Sequence, residues 1–289
     1  MTLSLLKKIH VFYENGTRKV QCFCGNVCKR AIVHHLRSRH PRIWESWCKD
    51  FVNQLNQGKT IHSVMNRYRL PDGKLLFSWT VVERAIREMI ERNPAILKFP
   101  EKTRIERWIP QDFKLERTTV WDFKERGDWA VHQNDYRGNW SPFLVRNLLL
   151  KYTKLGEWVL DPFVGGGTTL IETWLNERKS LGIDISPFAI EMTTQRLKEL
   201  RSKSRRAGQQ RLKKDFRPIV KRGDSRNLLG ITDELGLPPG IFSLACVHPP
   251  YFDAFLYTQT VENDLSRIHN IDKFCFELQN IASQVYKCL

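Results

Sequence analysis

Two short segments carry residue types suited to chemistry. The first is Asp161-Pro162-Phe163-Val164-Gly165-Gly166-Gly167-Thr168-Thr169, and the second is Val247-His248-Pro249-Pro250-Tyr251. In the first, an apolar strand runs into Asp-Pro-Phe and then into glycines. Glycines let the backbone turn sharply and let a ligand approach closely. A helix opening near Thr168 would present free N–H groups. Ligands of open α/β sheets sit beyond the carboxyl ends of the strands. The spacing is not G-x-G-x-x-G and no Walker lysine follows, so a dinucleotide or P-loop phosphate site is disfavoured. Two acids extend the set. Asp184, in Gly182-Ile183-Asp184-Ile185 at the end of a second strand, can accept from ribose hydroxyls. Asp224, in Arg222-Gly223-Asp224-Ser225 after a third strand, is placed to accept from an adenine amino group. Each aspartate alone could equally be a helix cap or turn residue. With the glycine loop they read as one cofactor site.

A separate cluster has metal-ligand chemistry. Val20-Gln21-Cys22-Phe23-Cys24-Gly25 leads to His35-Leu36-Arg37-Ser38-Arg39-His40-Pro41. The pair His-x4-His at helical spacing is similar to the helix of a two-Cys, two-His zinc finger, and tetrahedral zinc needs four ligands. Cys24, His35 and His40 supply three. Cys22 ranks ahead of Cys28 for the fourth, although Cys22-x-Cys24 is tighter than the common gap, and His34 is the neighbouring alternative to His35. The competing reading is a small basic helical segment with free thiols. The seven cysteines are an odd number and scattered, which is not a secreted disulfide framework.

The elements that must position these groups fall into three regions: 1–50 with the cysteine and histidine cluster, 51–105 helical, and 106–289 alternating strands and helices. In the helical region, 44–55 is helix-like and stops near Gly58, Thr60 could cap a short helix through Tyr68, and Leu70-Pro71-Asp72-Gly73 is a turn by residue type. Ser78 precedes a helix over 79–92, with Val81, Val82, Ala85, Ile86, Met89 and Ile90 at helical spacing. Helix, turn, helix in a basic chain permits DNA contact or a plain spacer. Pro94, Pro100 and Pro110 punctuate a linker. Strands at 158–163, 180–185, 218–220 and 241–247, with helices at 168–176, 187–200 and 272–289, imply a parallel, doubly wound α/β sheet.

The 289 residues are 41% hydrophobic and 27% charged, with 47 Lys and Arg against 31 Asp and Glu, a net charge of +16. That sign favours polyanions, nucleic acid before an acidic membrane surface. Nine Lys or Arg fall within 198–217, either as a solvated helix end and loop or as phosphate contacts. No apolar run reaches the length of a membrane span, and the apolar part of the first ten residues is too short for a secretory signal. A cytoplasmic location without membrane association is expected.

The two segments, in this order, resemble the S-adenosylmethionine-dependent amino-methyltransferases that modify N4 of cytosine or N6 of adenine in DNA. The resemblance covers roughly residues 118–289. It includes Tyr136-Arg137-Gly138-Asn139-Trp140-Ser141-Pro142, similar to the segment that closes over the methionine end of the cofactor. It implies a Rossmann-like methyltransferase sheet, with Asp161, Pro162, Phe163, Gly165, Gly167, Thr168, Asp184 and Asp224 at the cofactor. It also implies a catalytic loop of His248, Pro249, Pro250 and Tyr251. The exocyclic amine of a base is a poor nucleophile because its lone pair is delocalised. Acceptors on its N–H groups favour tetrahedral geometry and stabilise the developing charge. By resemblance, these acceptors are His248 and the Pro249 carbonyl, and Tyr251 stacks on a base flipped out of double-stranded DNA.

Two departures from the family pattern stand out. His248 replaces the usual Asp, Asn or Ser, and only its neutral imidazole can accept a hydrogen bond. The family's further strands follow the catalytic loop, yet 38 residues remain after Tyr251. A C-terminally incomplete sheet with an open edge is therefore expected, from a fragment, a truncated gene or a sheet completed by a second chain. The expected function is site-specific DNA methylation of the restriction-modification kind, with a structural zinc in the N-terminal segment. A non-catalytic DNA-binding protein with a decayed methyltransferase domain and an RNA base methyltransferase are the competing readings.

Overall fold

The computed structural model describes residues 8–289 except 16, 29–31, 58, 60, 71, 97, 99–100, 102–104, 112 and 208–211. The expected stop at Gly58, cap at Thr60, Pro71 of the turn and Pro100 of the linker, like most of the first ten residues, lie outside the described residues. Contacts divide the chain into two compact units, Met1–Pro100 and Glu101–Leu289.

The first unit opens with an antiparallel hairpin of β1 (His10–Glu14) and β2 (Thr17–Gln21), with His10 opposite Gln21 and Glu14 opposite Thr17. A tight turn follows: Gly25 donates to the Cys22 carbonyl at 2.8 Å and has φ +87. Among the described residues four α-helices follow: α1 (Ile32–Arg39), α2 (Pro41–Asn56), α3 (Ile61–Asn66) and α4 (Trp79–Arg92). Pro41 sits in the first turn of α2, where a missing N–H costs nothing. Its core is aromatic. Trp47, Phe51, Tyr68 and Phe77 are all completely buried and meet mostly edge to face, with centroids 5.1–5.8 Å apart. Because α2 runs through position 50, the cysteine and histidine segment and the helices after it are continuous. Arg37 on α1 ties them further by donating to both Glu88 oxygens on α4 at 2.9 Å.

The second unit is built on four parallel strands: β3 (Trp158–Asp161), β4 (Lys179–Asp184), β5 (Ile219–Arg222) and β6 (Phe242–Ala245), in the order β5-β4-β3-β6. The strands are short apolar runs because both faces are covered. On one face Val159 packs with Val145 and Leu149 of α5 (Pro142–Tyr152). The same side carries α6 (Thr168–Leu175) and α7 (Pro187–Ala207). On the other, Leu160 packs with Leu228 and Ile231 of α8 (Leu228–Glu234) and with Phe274, Ile281 and Val285 of α9 (Ile271–Cys288). The doubly wound α/β reading of the sequence matches this arrangement. β6 pairs with β3, and among the described residues no strand lies on its other edge.

One buried carboxylate joins three segments on the α5 and α6 side of the sheet. Glu172 on α6 is fully buried and accepts from Trp129 Nε1 at 2.7 Å, His132 Nε2 at 2.8 Å, Asn176 Nδ2 at 3.1 Å and an Arg146 guanidinium nitrogen at 3.2 Å. Burial holds His132 below its ordinary pKa, so it donates as a neutral imidazole. Its hydrogen bond, with the Arg146 charge, keeps Glu172 ionised. Removing a partner from such a set leaves an uncompensated buried charge. Glu172→Ala is expected to lower unfolding free energy by about 3–5 kcal/mol in a denaturant titration. Wild-type stability is expected to decline as pH falls below 6.5, because the unfolded chain's imidazole takes up a proton that buried His132 does not. A Glu172→Ala protein as stable as wild type would show that the network is dispensable.

Candidate active site at the carboxyl ends of the strands

The glycine loop leaves β3 at Asp161 and enters α6 at Thr168. Two glycines are required by close approach. At Gly165 (φ +48) a Cβ would lie 2.9 Å from the Tyr136 ring, and at Gly167 (φ +82) it would lie 2.9 Å from Thr193. Asp184, at the end of β4, accepts from Gly165 N and from Ser186 N, each at 2.9 Å. Arg196 of α7 donates to the Gly166 carbonyl at 2.5 Å and to Asp135. Thr168 donates to Asn139 Oδ1 at 2.6 Å. The loop is thus fastened from β4, from α7 and from the segment preceding α5.

Beside the loop lies an open cleft of about 790 Å3. Of the residues expected at a cofactor, Pro162, Phe163, Gly165, Asp184 and Asp224 line it. Asp161, Gly167 and Thr168 do not. Asp161 is 3% exposed and accepts from Phe163 N at 3.0 Å, shaping the loop from behind, and Thr168 is equally enclosed. Asp224 accepts from Arg226 N at 3.0 Å and pairs with the Arg226 guanidinium at 2.8 Å, which also reaches Glu277 at 3.1 Å.

The second predicted segment reaches the same cleft through His248, Pro249 and Pro250. The His248 ring lies parallel to Trp140, with centroids 5.1 Å apart and 13° between planes. Its Nε2 is 2.9 Å from the Tyr251 hydroxyl. Tyr251 itself is half exposed and outside the lining. Burial holds the imidazole below its ordinary pKa and favours the neutral, accepting form.

Sequence reasoning missed one wall, formed by Tyr257, Thr258, Asn263, Asp264 and Leu265. Asp264 is buried and accepts from Thr258 Oγ1 at 2.6 Å and Ser266 N at 2.9 Å. It caps the short turn Leu265–Arg267. The roof is the 136–140 segment. Tyr136 stacks on Tyr257 (5.9 Å, 21°) and on Phe188 (6.1 Å, 18°), while the Tyr257 hydroxyl donates to the Arg137 carbonyl at 3.3 Å.

The cleft's charge runs against that of the chain. Among the described residues its lining has three aspartates, Asp184, Asp224 and Asp264, and no lysine or arginine. Phosphate is therefore a poor ligand, and a ligand with cationic groups is a good one. Burial pushes Asp184 up to about 6 and Asp161 up to about 7.

In the first unit, the ligand atoms of Cys22, Cys24, His35 and His40 all lie within 4.8 Å of one another. Cys24 Sγ is 3.3 Å from His35 Nε2, and His40 Nε2 is buried without a hydrogen-bond partner. Tetrahedral zinc at its usual bond lengths would set such atoms about 3.3–3.8 Å apart. The donor set fits a closed zinc site. Cys28 and His34 are outside the group.

The sequence profile of the DNA methylase family matches residues 39–195 and stops short of His248. Among curated proteins, the Type II methyltransferase M.MjaII of Methanocaldococcus jannaschii is 38% identical over 79 residues, 26% of this chain and 15% of that protein. M.Cfr9I of Citrobacter freundii, also a Type II methyltransferase, is 31% identical over 81 residues, 28% of this chain and 26% of that protein. The Type II methyltransferase M.MthZI of Methanothermobacter thermautotrophicus is 30% identical over 105 residues, 31% of this chain and 30% of that protein. The matches thus span less than a third of the length of each relative. Among the described residues no helix is long and apolar enough to cross a membrane. With more than half of its length matched by the profile, the chain belongs to the DNA methylase family.

Proposed function

We propose that this chain carries the cofactor cleft and catalytic loop of a site-specific DNA methyltransferase acting on the exocyclic amine of adenine (N6) or cytosine (N4). The carrying observation is that the glycine loop and His248-Pro249-Pro250 share one cleft with three aspartates and no basic side chain. S-adenosylmethionine suits that lining through its sulfonium and ammonium groups, and when bound it supplies the activated methyl group. Asp184 and Asp224 accept from ribose and adenine donors. Neutral His248 and the Pro249 carbonyl accept from the amine N–H groups, which draws the lone pair out of conjugation. Tyr251, exposed beside His248, offers a stacking face to a flipped base. The open edge of β6 is where further strands, from this chain or a second one, would extend the sheet.

The deciding experiment is methyl transfer from labelled cofactor to DNA, followed by nucleoside analysis, with calorimetry of cofactor binding alongside. Transfer to an amino group supports the reading. DNA binding with neither cofactor binding nor turnover would identify a non-catalytic DNA-binding protein, and transfer only to RNA would replace the substrate.

The pH dependence separates two groups. At saturating cofactor, kcat is expected to fall with acidification at a midpoint below 6.5, because burial lowers the His248 pKa and the neutral ring is the acceptor. Trp140→Ala should move that midpoint up toward the ordinary imidazole value by exposing the ring, and His248→Asn should abolish the limb. A limb unchanged in His248→Asn would remove His248 from the mechanism. Cofactor affinity should weaken as pH falls through about 6, where Asp184 takes up a proton and loses its charge.

We also assign Cys22, Cys24, His35 and His40 to one structural zinc. Elemental analysis of the purified chain should give about one zinc per molecule, reduced severalfold in Cys24→Ser and His40→Ala. Metal-free wild type with an unchanged melting temperature would contradict the assignment.

A further inference from the structure

The basic run over 198–217 divides in the structure into cations that are paired and cations that are not. Lys203 pairs with Glu199 at 3.1 Å, and Lys213 pairs with Glu177 at 2.7 Å. Lys198, Arg201 and Arg217 converge on a second open cavity of about 560 Å3 instead. Thr194, Leu197, Lys198 and Arg201 lie on one face of α7, at the i, i+3, i+4 and i+7 positions. Arg217 arrives from the far end of the run, where the chain enters β5 through Pro218. Trp174, Leu197, Pro218 and Val220 complete the lining, and among the described residues it contains no carboxylate. Among the described residues, none of the three cations has an ion-pair or hydrogen-bond partner.

We propose that this cavity is a phosphate-binding site. Its donors are the Lys198 ammonium, the Arg201 and Arg217 guanidinium groups and the Thr194 hydroxyl. Two guanidinium forks and a point charge match the tetrahedral oxygens of a phosphate group. The apolar floor of Trp174, Leu197 and Val220 strengthens the attraction by displacing water. Three like charges held together without an anion repel one another, and a bound phosphate offsets that repulsion. The site shares no lining residue with the Asp184 cleft, so it stands apart from the methyl-transfer reading. The same chemistry serves a free phosphate compound or the backbone of a duplex.

The test uses the full chain and Lys198→Gln/Arg201→Gln/Arg217→Gln, whose side chains keep most of their length and lie at the surface or half-buried. Melting temperature is measured in inorganic phosphate against chloride of equal ionic strength. Phosphate should stabilise wild type and not the triple variant, by linkage to the folded state. Affinity for a non-specific duplex is then measured across salt concentrations. If the cavity takes a backbone phosphate, the slope of log K against log salt should shrink by about 0.9 in the variant. Stabilisation by phosphate with an unchanged slope would identify a free phosphate compound as the ligand. Equal behaviour of variant and wild type in both measurements would overturn the site. Cofactor binding, measured in parallel, should be the same in both proteins, so failure here is separable from failure at the cleft.

Discussion

Asp184 holds two backbone N–H groups at once, those of Gly165 and Ser186, and so fastens the end of β4 to the loop that follows β3. Everything at the cleft depends on that fastening. A glycine-rich loop has little intrinsic preference for one conformation and loses much entropy when fixed. The Asp184 carboxylate supplies fixed acceptors, and Arg196 supplies a donor from the opposite side. Between them the loop has few alternatives, and Tyr136 can pack on Gly165 where any side chain would collide with it. The roof then follows, because Tyr136 is one member of the Phe188–Tyr136–Tyr257 stack.

Charge is sorted rather than spread. The chain carries +16, yet the cleft lining holds only acids as formal charges. This separation resolves a conflict that bulk composition leaves open. A basic protein that met its cofactor through basic groups would have polyanions competing for the same site. An acidic cleft excludes phosphates, and the basic exterior attracts them.

The parallel sheet was legible because strand and helix alternate in short, distinct periods, and 219–222 and 242–245 fall close to where apolar runs end at polar turns. The roles of particular residues were less so. Asp161 and Thr168 have the residue types of ligand contacts, but they brace the loop from behind, and only the fold tells a lining residue from a supporting one. The wall from Tyr257 to Leu265 was invisible for a different reason. Its contact with Arg137 joins positions 120 residues apart, and no periodicity records such a pairing. The same holds for Glu172, which sequence pattern assigns to an ordinary helix and packing turns into the junction of three segments. The cysteine and histidine group lies at the other extreme: its spacing within 22–40 is local, and the ligand atoms of Cys22, Cys24, His35 and His40 lie within 4.8 Å of one another.

In the proposed methyl transfer, an imidazole in place of a carboxylate or amide changes what the His248 loop could do. A carboxylate accepts through two oxygens at any pH above its own titration. An imidazole accepts through one nitrogen, and only while neutral. The surroundings of His248 act on both limits. Stacking against Trp140 buries the ring and disfavours its charged form, which keeps the accepting nitrogen available at lower pH. The Tyr251 hydroxyl lies 2.9 Å from Nε2 and donates to it in the tautomer protonated at Nδ1. In that tautomer a base amine of the proposed substrate would displace a phenol rather than water. Under the proposed reading Tyr251 would stack on the base, so one movement of its ring would both free His248 and bring that face into play.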